Sequence, residues 1–218
     1  MKRLLTILLS FLFISFQAVK ADSFGIGVTG AFHMIDVSGT ETTRNSGQQN
    51  NGSHSEDVIV PELFIEAVYD SGVALGVSYI PTRDMGSKSR PDTNSEGDTG
   101  TYKAAAELDN VVQIYFDAPI TEAYGSNVYA KVGVQHATIV TLESLNSGST
   151  YPNEDVIGLT LGVGAKGDLP YGNNLYYKLE GTYTNFSDYE ETAASGAGNT
   201  VTAELEDIAL KLSLGYKF

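Results

Sequence analysis

From residue 23 onward apolar and polar side chains alternate with a period of two, and no sustained helical period interrupts them. The alternation predicts strands over eight segments: 24–37, 57–70, 72–84, 102–117, 127–143, 155–168, 174–187 and 203–218. Each can supply the roughly 9 to 11 residues that cross a bilayer at a tilt. The connections alternate in length. Those at 38–56, 85–101, 144–154 and 188–202 are long and rich in Gly, Ser, Thr, Asn and acids, whereas 70–72, 119–127 and 169–173 are short.

Apolar residues keep one parity in each segment, as in Phe24, Ile26 and Val28, in Leu159, Leu161 and Val163, and in Leu210, Leu212 and Leu214. The other parity is polar or small, with Gly25, Gly76, Gly133, Gly162 and Gly215 among its members. Ten charges fall within the parts of the strands expected to cross a membrane: Glu62, Glu66, Glu107, Asp109, Lys131, Lys166, Lys178, Glu180, Lys211 and Lys217. All ten take the polar parity. A lysine on the lipid face near the midplane costs roughly 2 to 4 kcal/mol, so a membrane barrel requires this segregation.

Five of the ten are acids and five are bases. An eight-stranded barrel is just wide enough for side chains to fill it, so the inner set is expected to pair into a plug. Glu62 and Glu66 are expected to meet Lys211 or Lys217, and Pro61 beside them to mark a bulge. Asp36, Glu204 and Glu206 carry the apolar parity and require positions beyond the membrane. The expected fold is therefore all-β: an eight-stranded antiparallel up-and-down transmembrane β-barrel.

A soluble lipocalin-type barrel would turn the same alternation inside out. The small polar parity, the gathering of aromatic residues near strand ends and the terminal Phe218 favour the membrane. Tyr69, Phe116, Tyr171, Tyr177 and Tyr216 are expected toward the short turns, and Tyr79, Tyr183, Phe186 and Tyr189 toward the long loops. Tyr115, Tyr129 and Tyr176 have the inner parity.

Residues 1–21 change the picture of location. Lys2 and Arg3 precede an apolar run from Leu4 to Phe16 and a Val19-Lys20-Ala21 cleavage site, which reads as a secretory signal peptide. Residues 22–218 form the expected barrel domain. Without Lys2, Arg3 and Lys20, ten basic residues face 27 acidic ones, a net charge of −17. Such a chain repels nucleic acid. With no cysteine, thiolate metal sites and disulfides are unavailable, and no cofactor is expected.

The final octapeptide, Lys211-Leu212-Ser213-Leu214-Gly215-Tyr216-Lys217-Phe218, looks like the carboxyl-terminal assembly signal of outer-membrane barrels, with Lys211, Ser213, Tyr216 and Phe218 as its marks. The family often has glycine where Ser213 stands. Residues 22–218 thereby resemble the small OmpA/OmpX-like and opacity-type surface barrels. The resemblance implies insertion by the barrel-assembly machinery, periplasmic termini, and a surrounding of outer-membrane lipids and lipopolysaccharide. It also implies an envelope-structural, adhesion or recognition role through four acidic extracellular loops, with an unidentified ligand. A narrow porin-like channel is the alternative.

Other motifs are thinner. Asp92 to Asp98 imitates the opening of a calcium loop, but Lys103 stands where the closing glutamate belongs. His136 and Thr138 project to the lipid face, as His and Ser do in some lipid A deacylase barrels, with no orienting carboxylate evident. His33 and His54 read as ordinary polar positions rather than metal ligands. No catalytic or metal site is expected.

Overall fold

A computed structural model describes residues 21–92, 100–143, 150–170, 174–194, 196 and 198–218. The signal segment at 1–20, most of the calcium-like run and Tyr171 lie outside the described residues. Among the described residues the regular structure is entirely strand: β1 Ser23–Thr42, β2 Gln49–Val68, β3 Ala74–Ile80, β4 Arg83–Asp92, β5 Gly100–Ala123, β6 Ser126–Glu143, β7 Glu154–Asp168, β8 Leu175–Phe186, β9 Tyr189–Thr192 and β10 Thr200–Lys217.

Neighbouring strands are antiparallel, and β1 closes the ring by pairing with β10 from Gly25↔Lys217 to Thr42↔Thr200. β3 and β4 are successive pieces of one stave along β5, split at Pro81 and Thr82; β8 and β9 share a stave along β10 in the same way. The ring therefore has eight staves.

Several strands outrun their predicted limits. β1 and β2 continue through much of the expected 38–56 connection and leave only residues 43–48 between them. β5 and β6 likewise absorb most of 119–127. Twenty residues at about 3.3 Å each, tilted by about 45°, rise well past an apolar band about 25 Å tall. On that extension both faces meet water, so no hydrophobic parity marks the strand. Asp36, Glu204 and Glu206 stand on the loop side of the Met34↔Ile208 pair, facing outward.

The orientation of the two faces separates the membrane barrel from the lipocalin. Leu159 and Leu212 are 52% and 63% exposed on the outside, whereas Lys178 and Lys211 are 2% and 5% exposed within. A water-facing exterior of that composition would be strongly penalised, whereas lipid accepts it.

One expectation about parity is overturned in β5. The register against β6 slips between Asp109 and Val112, and Asn110 adopts φ 53°. Such a bulge adds one residue to one strand and exchanges its faces. Beyond it Leu108 points inward, and Glu107 and Asp109 point away from the lumen. Pro61, by contrast, sits in an unbroken register opposite Gly30 and marks no bulge.

The interior has two zones. Polar and charged side chains fill the half nearer the short turns, and an apolar cluster including Ile35, Ile80, Leu108, Val111, Val156 and Leu205 fills the half nearer the loops. Phe186 and Tyr189 belong to this cluster, so they are not part of an outer aromatic belt.

Candidate functional site: the ion-pair plug of the lumen

Lys178 of β8 is the centre of the lower plug. Its Nζ lies 2.9 Å from Glu66 Oε2, 2.9 Å from Asp117 Oδ2 and 3.8 Å from Glu180 Oε1. Lys131 of β6 lies 2.6 Å from Glu180 and 3.4 Å from Asp117. Three inward tyrosines complete the shell. Tyr115 and Tyr176 each donate a 2.8 Å hydrogen bond to Glu66, and Tyr129 donates a 2.9 Å bond to Glu180. Lys131 also sits 3.7 Å above the Tyr115 ring. Glycines make room for these rings, since a Cβ at Gly76 would stand 2.3 Å from the Tyr115 ring and one at Gly164 2.6 Å from that of Tyr129.

A second cluster sits nearer the loops. Lys211 donates to both Glu62 oxygens at 2.8 and 3.0 Å. The His33 ring lies between two carboxylates, with Nε2 3.2 Å from Glu62 and Nδ1 2.9 Å from Asp207. Arg83 Nη2 donates to Asp207 at 2.9 Å. Neutral polar residues fill the space between the clusters, including Thr29 with Ser213 at 2.7 Å and Gln135 with Thr160 at 3.1 Å.

Seven of the ten expected lumen charges, Glu62, Glu66, Lys131, Lys166, Lys178, Glu180 and Lys211, are buried inside. Lys166 reaches the Gly72 carbonyl at the turn end at 3.0 Å. The other three lie outside the lumen network. Glu107 and Asp109 were turned out by the bulge, and Asp109 accepts bonds from Thr82 and Asn110 instead. Lys217 is one-third exposed and pairs with Asp168 at the rim, 2.5 Å away, rather than with Glu62 or Glu66.

Their places are taken by Arg83, Asp117 and Asp207, all buried. The described lumen still holds five acids and five fixed bases, so it is neutral with a different membership. Asp207 could have been found from its parity alone, two inner positions from Lys211. His33 is a bridging member of the network rather than an ordinary polar position.

Of the assembly-signal residues, Lys211 and Ser213 face the lumen, while Tyr216 and Phe218 lie outside, Phe218 stacked on Phe24 at 6.3 Å. His136 stands outside and half exposed, 3.9 Å from Asp155, while Thr138 donates to that same carboxylate at 2.8 Å. The hydroxyl thus faces the acid and not the imidazole, which is not the order a nucleophile needs. His54 pairs with Glu56 at 3.1 Å. Among the described residues no group of three or more His, Asp or Glu side chains could hold a metal ion.

No protein-family model and no curated protein matches the chain. Solved structures do. The outer membrane protein OprG from Pseudomonas aeruginosa superposes with a TM-score of 0.63 at 13% identity, over 91% of this chain and 97% of that one. The chain has the fold of a small outer-membrane β-barrel. The barrel is also similar to the outer membrane protease OmpT from Escherichia coli, with a TM-score of 0.50 at 10% identity over 93% and 99% of the two chains. AlkL in lipid bilayers gives 0.50 at 12% identity over 93% and 95%. Proteins of such different names share this fold, so what distinguishes this barrel lies in its lumen and its loop-side surface.

Proposed function

We propose that the protein is an integral outer-membrane barrel, exported and inserted by the barrel-assembly machinery through its final octapeptide, with both termini in the periplasm and lipopolysaccharide around its outer half. Its role is envelope-structural and surface recognition: a closed scaffold holds an acidic crown, including Asp36, Asp57, Asp84, Glu107, Glu204 and Glu206, outside the cell. The observation that carries this reading is the plug. A lumen filled from Glu66 to Asp207 by paired charges and capped by apolar side chains leaves the loop-side surface as the part open to partners. The reading assigns no catalytic step.

The test has two arms. In planar bilayers the purified barrel should give no steady single-channel steps. Cells displaying it should adhere to polylysine-coated surfaces more than cells displaying a variant with Asp36, Asp57, Glu204 and Glu206 changed to Asn or Gln. Steady steps together with equal adhesion would overturn the proposal.

A specific feature supports a second reading. β2 is bridged to β3 only over Leu63–Val68, and β4 is bridged to β5 alone, so the wall between residues 49–62 and β4 has no ladder. That seam flanks the apolar zone of the lumen and is crossed by side chains, as where Lys88 reaches the Ser53 carbonyl at 3.3 Å. Passage would then run sideways, for small apolar molecules, and not straight through for ions. A Ser53→Cys/Lys88→Cys disulfide that blocks uptake of N-phenylnaphthylamine, restored by reductant, would favour it; unchanged uptake would dispose of it.

A further inference from the structure

We infer that the β5–β6 hairpin is a foot that docks on the phospholipid leaflet at the short-turn end of the barrel, with Tyr124 as its headgroup anchor. The last β3–β5 pair is Ala74↔Asp117, yet β5 runs on to Ala123, so this hairpin projects beyond the neighbouring β2–β3 turn. Ala123 faces Ser126, which leaves a two-residue turn of Tyr124 and Gly125 with φ of 53° and 75°. Two positive φ values define a type I′ turn, whose first position suits Asn, Asp or Gly. An aromatic residue there carries backbone strain.

Nothing among the described residues accounts for that choice. Tyr124 is 106% exposed, so its ring packs on none of the described residues. The hairpin is nonetheless held in place, because Ser126 Oγ and the Tyr177 hydroxyl share a 2.6 Å hydrogen bond. The surface leading to the ring says what it meets. The outward row of β5, Val112, Ile114, Phe116 and Ala118, runs down the lipid belt to a register slip between Pro119 and Thr121, and the unpaired residue of that slip, Ile120, is 62% exposed at the root of the hairpin. The foot thus begins where the lipid-facing row ends, with Ile120 exposed between them. A phenol ring, apolar in body and polar at its tip, suits the depth where acyl chains give way to headgroups. Glu122, exposed on the same hairpin, points to water there.

The chain has no tryptophan, so Tyr124→Trp creates a single emitter. The probe is a vesicle of dibrominated phosphatidylcholine, compared with one of the unbrominated lipid. Ile120→Trp marks the belt, and Asp70→Trp on the β2–β3 turn marks water. Tyr124→Trp should show blue-shifted emission and a severalfold loss in brominated vesicles, as Ile120→Trp does. Emission like that of Asp70→Trp, open to aqueous iodide, would overturn the foot. Because the foot rests on the outward belt meeting lipid, the Ile120 control separates the two: no quenching at either site sinks the belt, and quenching at Ile120 alone sinks only the foot. If tryptophan prevents folding, headgroup spin-labelled lipid should broaden the Tyr124 ring signals of the unsubstituted barrel, and unbroadened signals would overturn the proposal.

Discussion

Lys178 on β8 and Asp117 on β5 meet across the lumen at 2.9 Å, both shielded from solvent, and the same ammonium reaches Glu66 on β2 at an equal distance. One side chain thereby ties three staves that share no ladder with each other. In a space of low dielectric, losing one partner of such a pair leaves the remaining charges uncompensated, a larger penalty than the pair's net contribution.

Lys178→Met is therefore expected to destabilise the folded barrel by roughly 3 to 5 kcal/mol. Heat-modifiability on gels and urea unfolding in detergent would register it. Adding Asp117→Asn removes one stranded carboxylate and should recover part of the loss. A single variant as stable as the parent barrel would mean that the plug is open to water.

Tyr176 lies against Gly25 and Gly215, where an added Cβ would stand 2.3 Å from its hydroxyl oxygen and 2.4 Å from its ring respectively. Gly215→Ala should cost about 1 to 3 kcal/mol by overpacking. At Gly30 a Cβ meets nothing within 4 Å, and Gly30→Ala should stay within about 0.5 kcal/mol of the parent. Equal effects at the two glycines would contradict the ring packing.

Where one face is wet and the other greasy, the alternation could be read directly, and the residues around Leu159, Leu212 and Lys178 fall as their parity requires. The errors have local physical causes. A single residue, Asn110 at φ 53°, exchanges the faces of β5 and takes Glu107 and Asp109 out of the lumen; no composition signal announces it, because asparagine is also common in ordinary loops. Arg83 follows the Pro81-Thr82 break, so its direction could not be extrapolated from β3. Asp207 was within reach of the parity rule. The tyrosine shell around Glu66 and Glu180 depends on which strands lie opposite across the ring, a long-range relation that alternation along one strand does not encode.

Leu212 occupies the middle of the outward row of β10, opposite Gly30. Leu212→Lys should destabilise the barrel in vesicles by about 2 to 4 kcal/mol, whereas Ser213→Lys, one residue on and facing the lumen, should fail for a different reason, by adding an unpaired charge to the plug. A further Glu introduced at Thr29, whose hydroxyl meets that of Ser213 at 2.7 Å, should rescue the second variant and not the first. Rescue of both would show that the two faces are not segregated.

β4 has a ladder on one side only. Besides that ladder it is held by the Arg83 pair with Asp207, by Met85 in the apolar cluster and, across the unladdered seam, by Lys88 on the Ser53 carbonyl. Of these the Arg83 pair is the buried one with charge on both sides, and Asp207 sits on β10, so the contact spans the ring and bypasses the seam. Arg83→Met should therefore loosen β4 locally while leaving the closed ladder of β6 and β7 intact. Amide hydrogen exchange should speed up severalfold over 83–89 and stay unchanged over 156–164. His33 also faces Asp207, at 2.9 Å, so β10 should keep its tie to β1 when Arg83 is replaced. Exchange that rises equally in β4 and β7 would instead mean that the seam is not a separate unit of opening, and the sideways route would lose its physical basis.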